Sequence, residues 1–416
     1  MSLNYDLGIV GGGPAGYTAA LYAAKRGLNV VLFEKDCVGG VCLNKGCIPT
    51  KAILHSAEVF EELKCAENIG ILIPEMKVDF AKVMERKNTI VSKLRKSLEL
   101  VLKNSKVTVI NKFAQITNKN TIIADNETYE CKKIICATGS APRTFKGMEF
   151  DHEKVLSSDD ILNLTKLPNS LVIVGSGAIG IEWARIMAAF DVNVTVVEAA
   201  ENLLPVADTE ISKRIERIFK SKKIKFHKGC SVNNIEHEEN CKVHLSNGET
   251  LEAEKVLVAV GRKIDNQNRI EGVTYIGDVC GEIQLAHYAI KQAIAEVEGI
   301  SFDKTLVPSV VYGSPEIAWV GKREQDLEAG TYQKSTLLIS ALGKSQCDNS
   351  VDGIIKLIAQ GDEIVGAHII SNEASSLIQE ILIAIQNKIG IEKLREICFA
   401  HPTYSEGIFE ALFNFK

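Results

Sequence analysis

The sequence predicts an α/β protein made of two Rossmann-like dinucleotide-binding units and a C-terminal α+β unit. Three observations predict it. A strand, a glycine-rich turn and an Ala-rich helix open the chain, and the same pattern returns near residue 171. After Leu306 apolar strands and a helix follow with no glycine-rich turn. Strands alternating with helices indicate a parallel sheet.

In the first unit, Asp6-Leu7-Gly8-Ile9-Val10 leads into Gly11-Gly12-Gly13-Pro14-Ala15-Gly16, which satisfies G-x-G-x-x-G. A second strand, residues 29–33, ends at Glu34. The glycines allow a tight turn and close approach of the backbone to a pyrophosphate at the helix N-terminus, and the acid accepts from a ribose hydroxyl. In the second unit, Leu171-Val172-Ile173-Val174 leads into Gly175-Ser176-Gly177-Ala178-Ile179-Gly180, then a strand over 193–197 and Glu198. From first glycine to acid the spacing is 23 residues in both copies. One such turn alone is weak evidence. Two in this context imply two dinucleotides, one per copy. A carboxylate at Glu198 welcomes a ribose 2′-hydroxyl and repels a 2′-phosphate, so NAD is favoured over NADP.

Between the copies, Phe80, Val83, Ile90, Val91, Leu94, Leu98 and Leu102 mark one face of a long helix expected to pack in the core. A strand over 133–136 runs into Ala137-Thr138-Gly139-Ser140, and one over 273–276 into Gly277-Asp278. Ligands sit at such strand ends, so Asp278 is expected near the first cofactor's phosphate or ribityl side; by itself it reads equally as a turn acid. The third unit has strands over 354–359 and 364–369, a helix over 373–388, and the end His401-Pro402-Thr403-Tyr404-Ser405-Glu406. The expected division is 1–141 with 270–305, then 142–269, then 306–416. Leu377, Ile378, Ile381, Leu382 and Ile385 are expected to offer a two-fold packing face.

Cys42 and Cys47 lie in Gly39-Gly40-Val41-Cys42-Leu43-Asn44-Lys45-Gly46-Cys47-Ile48-Pro49-Thr50-Lys51. On a regular helix this spacing gives about 7.5 Å of rise, beyond the roughly 7 Å between Cα atoms that a disulfide tolerates. A bridge therefore needs distorted backbone, which Asn44 and Gly46 permit. Pro49 suits the first turn of a following helix, at whose positive end a Cys47 thiolate is favoured. Beside a dinucleotide turn, the pair reads as a disulfide exchanging electrons with a flavin. Cys37 offers the same spacing to Cys42; Cys42 with Cys47 is preferred because Cys37 falls close to the strand end at Glu34.

Composition limits the alternatives. The 416 residues suggest two to four domains, and 46% hydrophobic with 24% charged residues is ordinary for a globular protein. A net charge of −5 gives no sign of nucleic-acid or membrane binding. The basic stretch at 213–228 reads as a solvated helix face followed by a strand. No metal-ligand pattern stands out. Eleven cysteines, a strand entered by Tyr5 and no apolar run near 18 residues lead to the expectation of a cytoplasmic protein.

Together these segments resemble the pyridine nucleotide-disulfide oxidoreductases, over nearly the whole chain, and within them the branch that oxidises dihydrolipoamide. The resemblance implies FAD at Gly11, Gly13, Pro14, Ala15, Gly16 and Glu34, with Gly40, Val41, Cys42, Lys51, Ala137, Thr138, Gly139, Gly277, Asp278, Leu285, Ala286 and His287 along the flavin. It implies NAD at Gly175, Gly177, Ala178, Ile179, Gly180, Glu182, Glu198 and Gly261. Cys42 would accept attack by a reduced dithiol and Cys47 would face the flavin. His401 would be the base, oriented by Glu406 and supplied by the other subunit of a homodimer. Lys51 and Glu182 match a charge-neutralising pair. The implied partner is the lipoyl-bearing protein of a 2-oxo acid dehydrogenase or glycine cleavage complex.

Relatives that reduce glutathione-type disulfides use NADPH, which Glu198 disfavours. Mercuric reductases carry a C-terminal cysteine pair absent from residues 412–416, and the family's transhydrogenases lack the Cys42–Cys47 type of pair. Three departures stand out. Only 14 residues separate Arg262 from Gly277, where the family has a few tens. Phe399 replaces the first His of His-Ala-His-Pro. Ile290, Lys291, Gln292 and Ala293 replace the acids and Gly that follow Ala286-His287. The alternative reading is another disulfide reductase of the family, or a non-catalytic redox-sensing flavoprotein subunit.

Overall fold

The computed structural model describes residues 3–264 and 269–415. The shortened return after Arg262 therefore lies partly outside the described residues. The first unit runs β1 (Leu3–Val10), α1 (Pro14–Lys25), β2 (Val30–Phe33), α2 (Gly40–Lys45), α3 (Cys47–Lys64), α4 (Phe80–Asn104), β3 (Thr108–Ile110), β4 (Gln115–Asn118), β5 (Thr121–Ala124) and β6 (Glu127–Cys136). β1 pairs in parallel with β2 on one side and β6 on the other, Ile9 standing opposite Leu32 and Ile135. The chain passes from one side of β1 to the other here, which opens a crevice at the carboxyl ends of these strands. β2 is buried at all four residues, as a strand covered on both faces must be. Small residues Ala15, Ala19, Ala20 and Ala23 of α1 lie in the core and let helix and sheet approach closely.

The second unit contains β7 (Ala141–Pro142), β8 (Val155–Leu156), β9 (Ser170–Val174), α5 (Ala178–Ala189), β10 (Asn193–Glu198), α6 (Thr209–Ser221), β11 (Lys225–Lys228), β12 (Val232–His237), β13 (Cys241–Leu245), β14 (Thr250–Ala253), β15 (Lys255–Val258) and β16 (Arg262–Lys263). Its main sheet has the order β11-β10-β9-β15-β8, parallel throughout, so the geometry of the first unit repeats. β16 pairs antiparallel with β7, tying the outgoing and returning connections together. β17 (Thr274–Tyr275) then adds to the first sheet beside β6, and α7 (Ala286–Glu298) packs on α1.

The third unit is an antiparallel sheet, β18-β19-β22-β21-β20, formed by β18 (Ser309–Val311), β19 (Glu316–Gly321), β20 (Gln333–Leu338), β21 (Ile354–Gln360) and β22 (Glu363–Ser371). α8 (Gly343–Cys347) precedes β21, and α9 (Ala374–Gln386), α10 (Ile391–Arg395) and α11 (Glu406–Phe413) follow β22. Among the described residues, no helix is long and apolar enough to cross a membrane.

Two packing expectations are corrected. Leu377, Ile378 and Ile381 of α9 are buried under the helix's own sheet, against β19 and β22, and do not form an open two-fold face; Leu382 and Ile385 are half-buried beside them. The stripe on α4 is not uniformly core. Phe80 and Leu102 are buried, Leu94 is exposed and the residues between are half-buried, while Met84 and Lys87 take the inward positions. Within the chain this 25-residue helix packs chiefly on α3, with smaller contacts to α2, α1 and β3.

Candidate active site

α2 stops at Lys45, Gly46 breaks the helix, and α3 begins at Cys47. Cys42 and Cys47 thus lie on two helices, and the break removes the axial separation a continuous helix would impose. Asn44 Nδ2 ties the turn back by donating to the carbonyls of Gly40 at 2.9 Å and Val38 at 3.1 Å. The pair is present as two half-buried thiols hydrogen-bonded to each other. Cys37 faces elsewhere, accepting from Arg95 Nη1 at 3.2 Å. The hydrogen bond from Cys42, helped by Lys51, lowers the Cys47 thiol to about 7 against the opposing effect of burial. The same bond, with burial, raises Cys42. Cys47, first residue of α3, is therefore the better thiolate and the better leaving group.

One turn further along α3, Lys51 Nζ donates to both oxygens of Glu182 on α5, each at 2.8 Å. Glu182 Oε1 also accepts from Tyr312 N at 3.1 Å, and Lys51 Nζ sits 4.5 Å over the Tyr312 ring. Residues of all three units converge within a helical turn of the cysteines.

The glycine turns have two kinds of position. A Cβ on Gly11 would meet Ala137 O at 2.2 Å, and Gly11 holds φ +106, so the protein's own packing demands glycine there. Gly16 and Gly180 press on the first glycine of their turns, at 1.8 and 2.0 Å for the same test. The middle glycines differ. Among the described residues, a Cβ on Gly13 would meet nothing closer than Gly40 Cα at 3.8 Å, and one on Gly177 would meet nothing within 4 Å. Their openness on the strand-end crevice is what an approaching pyrophosphate requires. Each acid braces its turn: Glu34 accepts from Gly12 N at 2.8 Å, and Glu198 from Ser176 N at 2.8 Å and Ser176 Oγ at 2.6 Å. A carboxylate has about four acceptor positions, so both keep capacity for a ribose hydroxyl. Ala178 and Ile179 open α5 directly after the second turn.

Pyridine nucleotide-disulphide oxidoreductase describes the family model that matches residues 5–275, and that family's dimerisation domain matches residues 307–412. The chain belongs to this family. It is an oxidoreductase with a dimerisation domain, of a family that works with FAD and NAD(H), and the two open glycine turns fit such ligands. It is 35% identical to a dihydrolipoyl dehydrogenase of Bacillus subtilis over 99% of this chain and 98% of that protein. It is 34% identical to the dihydrolipoyl dehydrogenase of Chlamydia pneumoniae over 98% of this chain and 96% of that one. Its fold matches LpdA of Mycobacterium tuberculosis, with a TM-score of 0.89 at 24% identity over 99% of both chains. It also matches the HOCl-induced flavoprotein disulfide reductase RclA of Escherichia coli, with a TM-score of 0.88 at 26% identity over 99% and 100% of the chains.

The remaining expected residues fall in two places. Ala137, Thr138 and Gly139 follow β6 at the crevice, and Asp278 stands in the turn Gly277–Cys280. Ser140 Oγ donates to Asp278 Oδ2 at 2.5 Å and accepts from Arg262 Nε at 2.7 Å, linking the crevice to the return connection just after Gly261. Gly277 N donates to Gln292 Oε1 at 2.7 Å, so Gln292 ties α7 to the turn that holds Asp278. Leu285 caps α7, preceding Ala286, while His287 Nε2 contacts Pro308 O at 2.7 Å on the surface. Gly40 and Val41 open α2 opposite Gly13.

His401 and Glu406 lie on the third unit. His401 Nδ1 is 2.8 Å from Glu406 Oε1, and Glu406 Oε2 accepts from Thr403 N at 2.8 Å. The bond to His401 holds the half-buried Glu406 carboxyl below its usual range. The imidazole is largely exposed and α11 packs on α10, β20 and β21, whereas α3 packs on α2, α4 and α5. Phe399 lies against the Phe409 ring, centroids 5.5 Å apart, filling its position with aromatic packing. Sequence reasoning missed Ser140, Tyr312 and Arg262 as members of the site. Only the position of Ser140 after a strand-end glycine gave any signal.

Proposed function

We propose that the protein is a dihydrolipoamide dehydrogenase, oxidising the dithiol of a lipoyl-bearing protein with NAD, in a homodimer whose site is shared between subunits. The observation that carries this is the Cys42–Cys47 pair at the start of α3, with the Cys47 thiol lowered to about 7 and Lys51–Glu182 one turn away. Its full-length likeness to dihydrolipoyl dehydrogenases supports the substrate class.

In the oxidised enzyme Cys42 and Cys47 are joined. His401 of one subunit, its Nδ1 committed to Glu406, takes the proton of a substrate thiol at Nε2. The substrate thiolate attacks Cys42 Sγ; a mixed disulfide forms, the Cys42–Cys47 bond breaks and Cys47 leaves as thiolate. Attack by the second substrate sulfur on the first closes the lipoyl ring and expels Cys42, which takes up a proton. Two electrons have then passed from the substrate to the pair. Gly11, Gly13, Gly16, Glu34 and Asp278 would hold FAD, which when bound supplies the two-electron link between the dithiol and the nicotinamide. Gly175, Gly177, Gly180 and Glu198 would hold NAD. In this reading residues 1–141 with 270–305 serve FAD, 142–269 serve NAD and 306–416 serve dimerisation. A cytoplasmic setting, where other thiols stay reduced, belongs to the same proposal.

The likeness to the disulfide reductase RclA favours, as second reading, a reductase driven by NADH. A substrate comparison separates them. Rapid NADH formation from dihydrolipoamide, with little NADH-driven reduction of glutathione disulfide, supports the first reading; the reverse pattern supports the second.

A further inference from the structure

Arg185 stands on α5, one turn beyond Glu182, and is 5% exposed. Its Nη1 donates to Pro315 O, while its buried Nη2 has no hydrogen-bond partner among the described residues. A Cβ on Gly313 would come within 2.5 Å of the guanidinium carbon, so the turn before β19 is shaped around this side chain. Four carboxylates face the charge: Glu58 and Glu61 from α3, Glu182 from α5 and Glu316 from β19. Burial pushes Glu58 up to about 7, raises Glu316 and lowers Arg185 to about 10.

A buried, incompletely bonded charge is poor evidence of a stabilising role, because desolvation offsets most of what the ion pairs return. The geometry points to another use. Arg185 neighbours Glu182, Glu182 grips Lys51, and Lys51 acts on Cys47. The 312–316 turn that receives the guanidinium also supplies Tyr312 N to Glu182.

We propose that Arg185 is a positioning residue of the disulfide site, holding Glu182 and the 312–316 turn in place so that Lys51 stays beside Cys47. This rests on the reading of Cys42 and Cys47 as the redox pair. Besides Cys42, Lys51 and Glu182, the groups facing Cys47 include Tyr17 and Tyr312. Taking a positive charge from this network disfavours the Cys47 thiolate, and taking a negative charge from Glu58 favours it. A loss of packing alone does not reverse sign between the two.

The test uses FAD-loaded Cys42→Ser protein, in which Cys47 stays free, and follows iodoacetamide alkylation of Cys47 against pH by peptide mass spectrometry. Arg185→Met should move the midpoint up and slow alkylation below it by about threefold, equivalent to about half a pH unit. Arg185→Lys should restore most of the rate, and Glu58→Gln should move the midpoint down. An unmoved midpoint in folded Arg185→Met protein, or shifts of the same sign in Arg185→Met and Glu58→Gln, overturns the proposal. If Arg185→Met fails to fold, Arg185→Lys and Glu58→Gln decide it: an upward or absent shift in Glu58→Gln overturns it. Failure of the otherwise unsubstituted protein to form a Cys42–Cys47 disulfide on mild oxidation, read by peptide mass spectrometry, instead overturns the redox-pair reading.

Discussion

Lys51 and Glu182, 131 residues apart, meet with the ammonium nitrogen 2.8 Å from each carboxylate oxygen. This contact fastens the helix that begins at Cys47 to the helix that begins at the second glycine turn. Glu182 is buried and Lys51 about a third exposed, so removing the acid strands a partly desolvated ammonium. Glu182→Gln should cost about 1–3 kcal/mol, below the roughly 3–5 kcal/mol of a fully buried broken pair because Lys51 keeps partial access to water. Lys51→Met should cut dihydrolipoamide turnover at least tenfold, because Cys47 loses its cation. Denaturant unfolding and steady-state kinetics check the two effects separately.

Cys42→Ser and Cys47→Ser should each abolish lipoamide turnover with FAD retained, since the glycine turns and not the thiols hold the cofactor. Cys37→Ser should be nearly silent, because Cys37 contacts Arg95 and lies outside the pair. Flavin absorbance alongside the assay distinguishes loss of chemistry from loss of cofactor. A dead Cys37→Ser enzyme beside an active Cys47→Ser enzyme would reverse the pairing.

Replacing Glu198 by Gln should improve NADP relative to NAD by about tenfold in kcat/KM, or about 1.4 kcal/mol, by removing a carboxylate that repels the 2′-phosphate. Ser176 Oγ and two backbone amides that now bind Glu198 become available to that phosphate. The ratio measured before and after substitution is the readout. No change in it would place the discrimination at another residue.

Lys356, buried in β21, joins Asp208 at 2.8 Å and Glu324 at 2.5 Å. Hydrogen bonds from Lys334, Lys356 and Tyr332 hold Glu324 at about 2 in spite of its desolvation. A depressed carboxyl stabilises the fold above its unfolded value of about 4.3 and ceases to as pH falls toward the folded value. Stability should therefore drop between about pH 4.3 and 2. Lys356→Met should cost about 3–5 kcal/mol at neutral pH, by leaving carboxylates buried without a cation. It should also flatten that acid dependence, which denaturant midpoints measured across this pH range would show.

Much of this architecture is legible in local patterns. The two glycine turns, Glu34 and Glu198 follow from strand-turn-helix spacing, and the break between Cys42 and Cys47 follows from helix geometry. Other features depend on segments brought together only by folding. Ser140 meets Asp278 and Arg262 across more than a hundred residues, and Arg185 has only Glu182 as a charged neighbour on its own apolar helix until three units close around it. The apolar face of α9 was open to two interpretations, because an amphipathic stripe looks the same whether it meets its own sheet or another subunit.

A site shared between subunits is tested most directly by mixing two inactive chains, Cys42→Ser and His401→Gln, under conditions of subunit exchange and measuring NADH formation from dihydrolipoamide. The exposed His401 with its Glu406 partner on the third unit, and the cysteines on α2 and α3, should then combine in heterodimers that carry one intact site. Wild-type protein should form NADH with NAD and far less NADPH with NADP, each variant alone should be at background, and the mixture should recover part of the wild-type rate. A mixture that stays at background, although heterodimers are shown to form, contradicts the shared site.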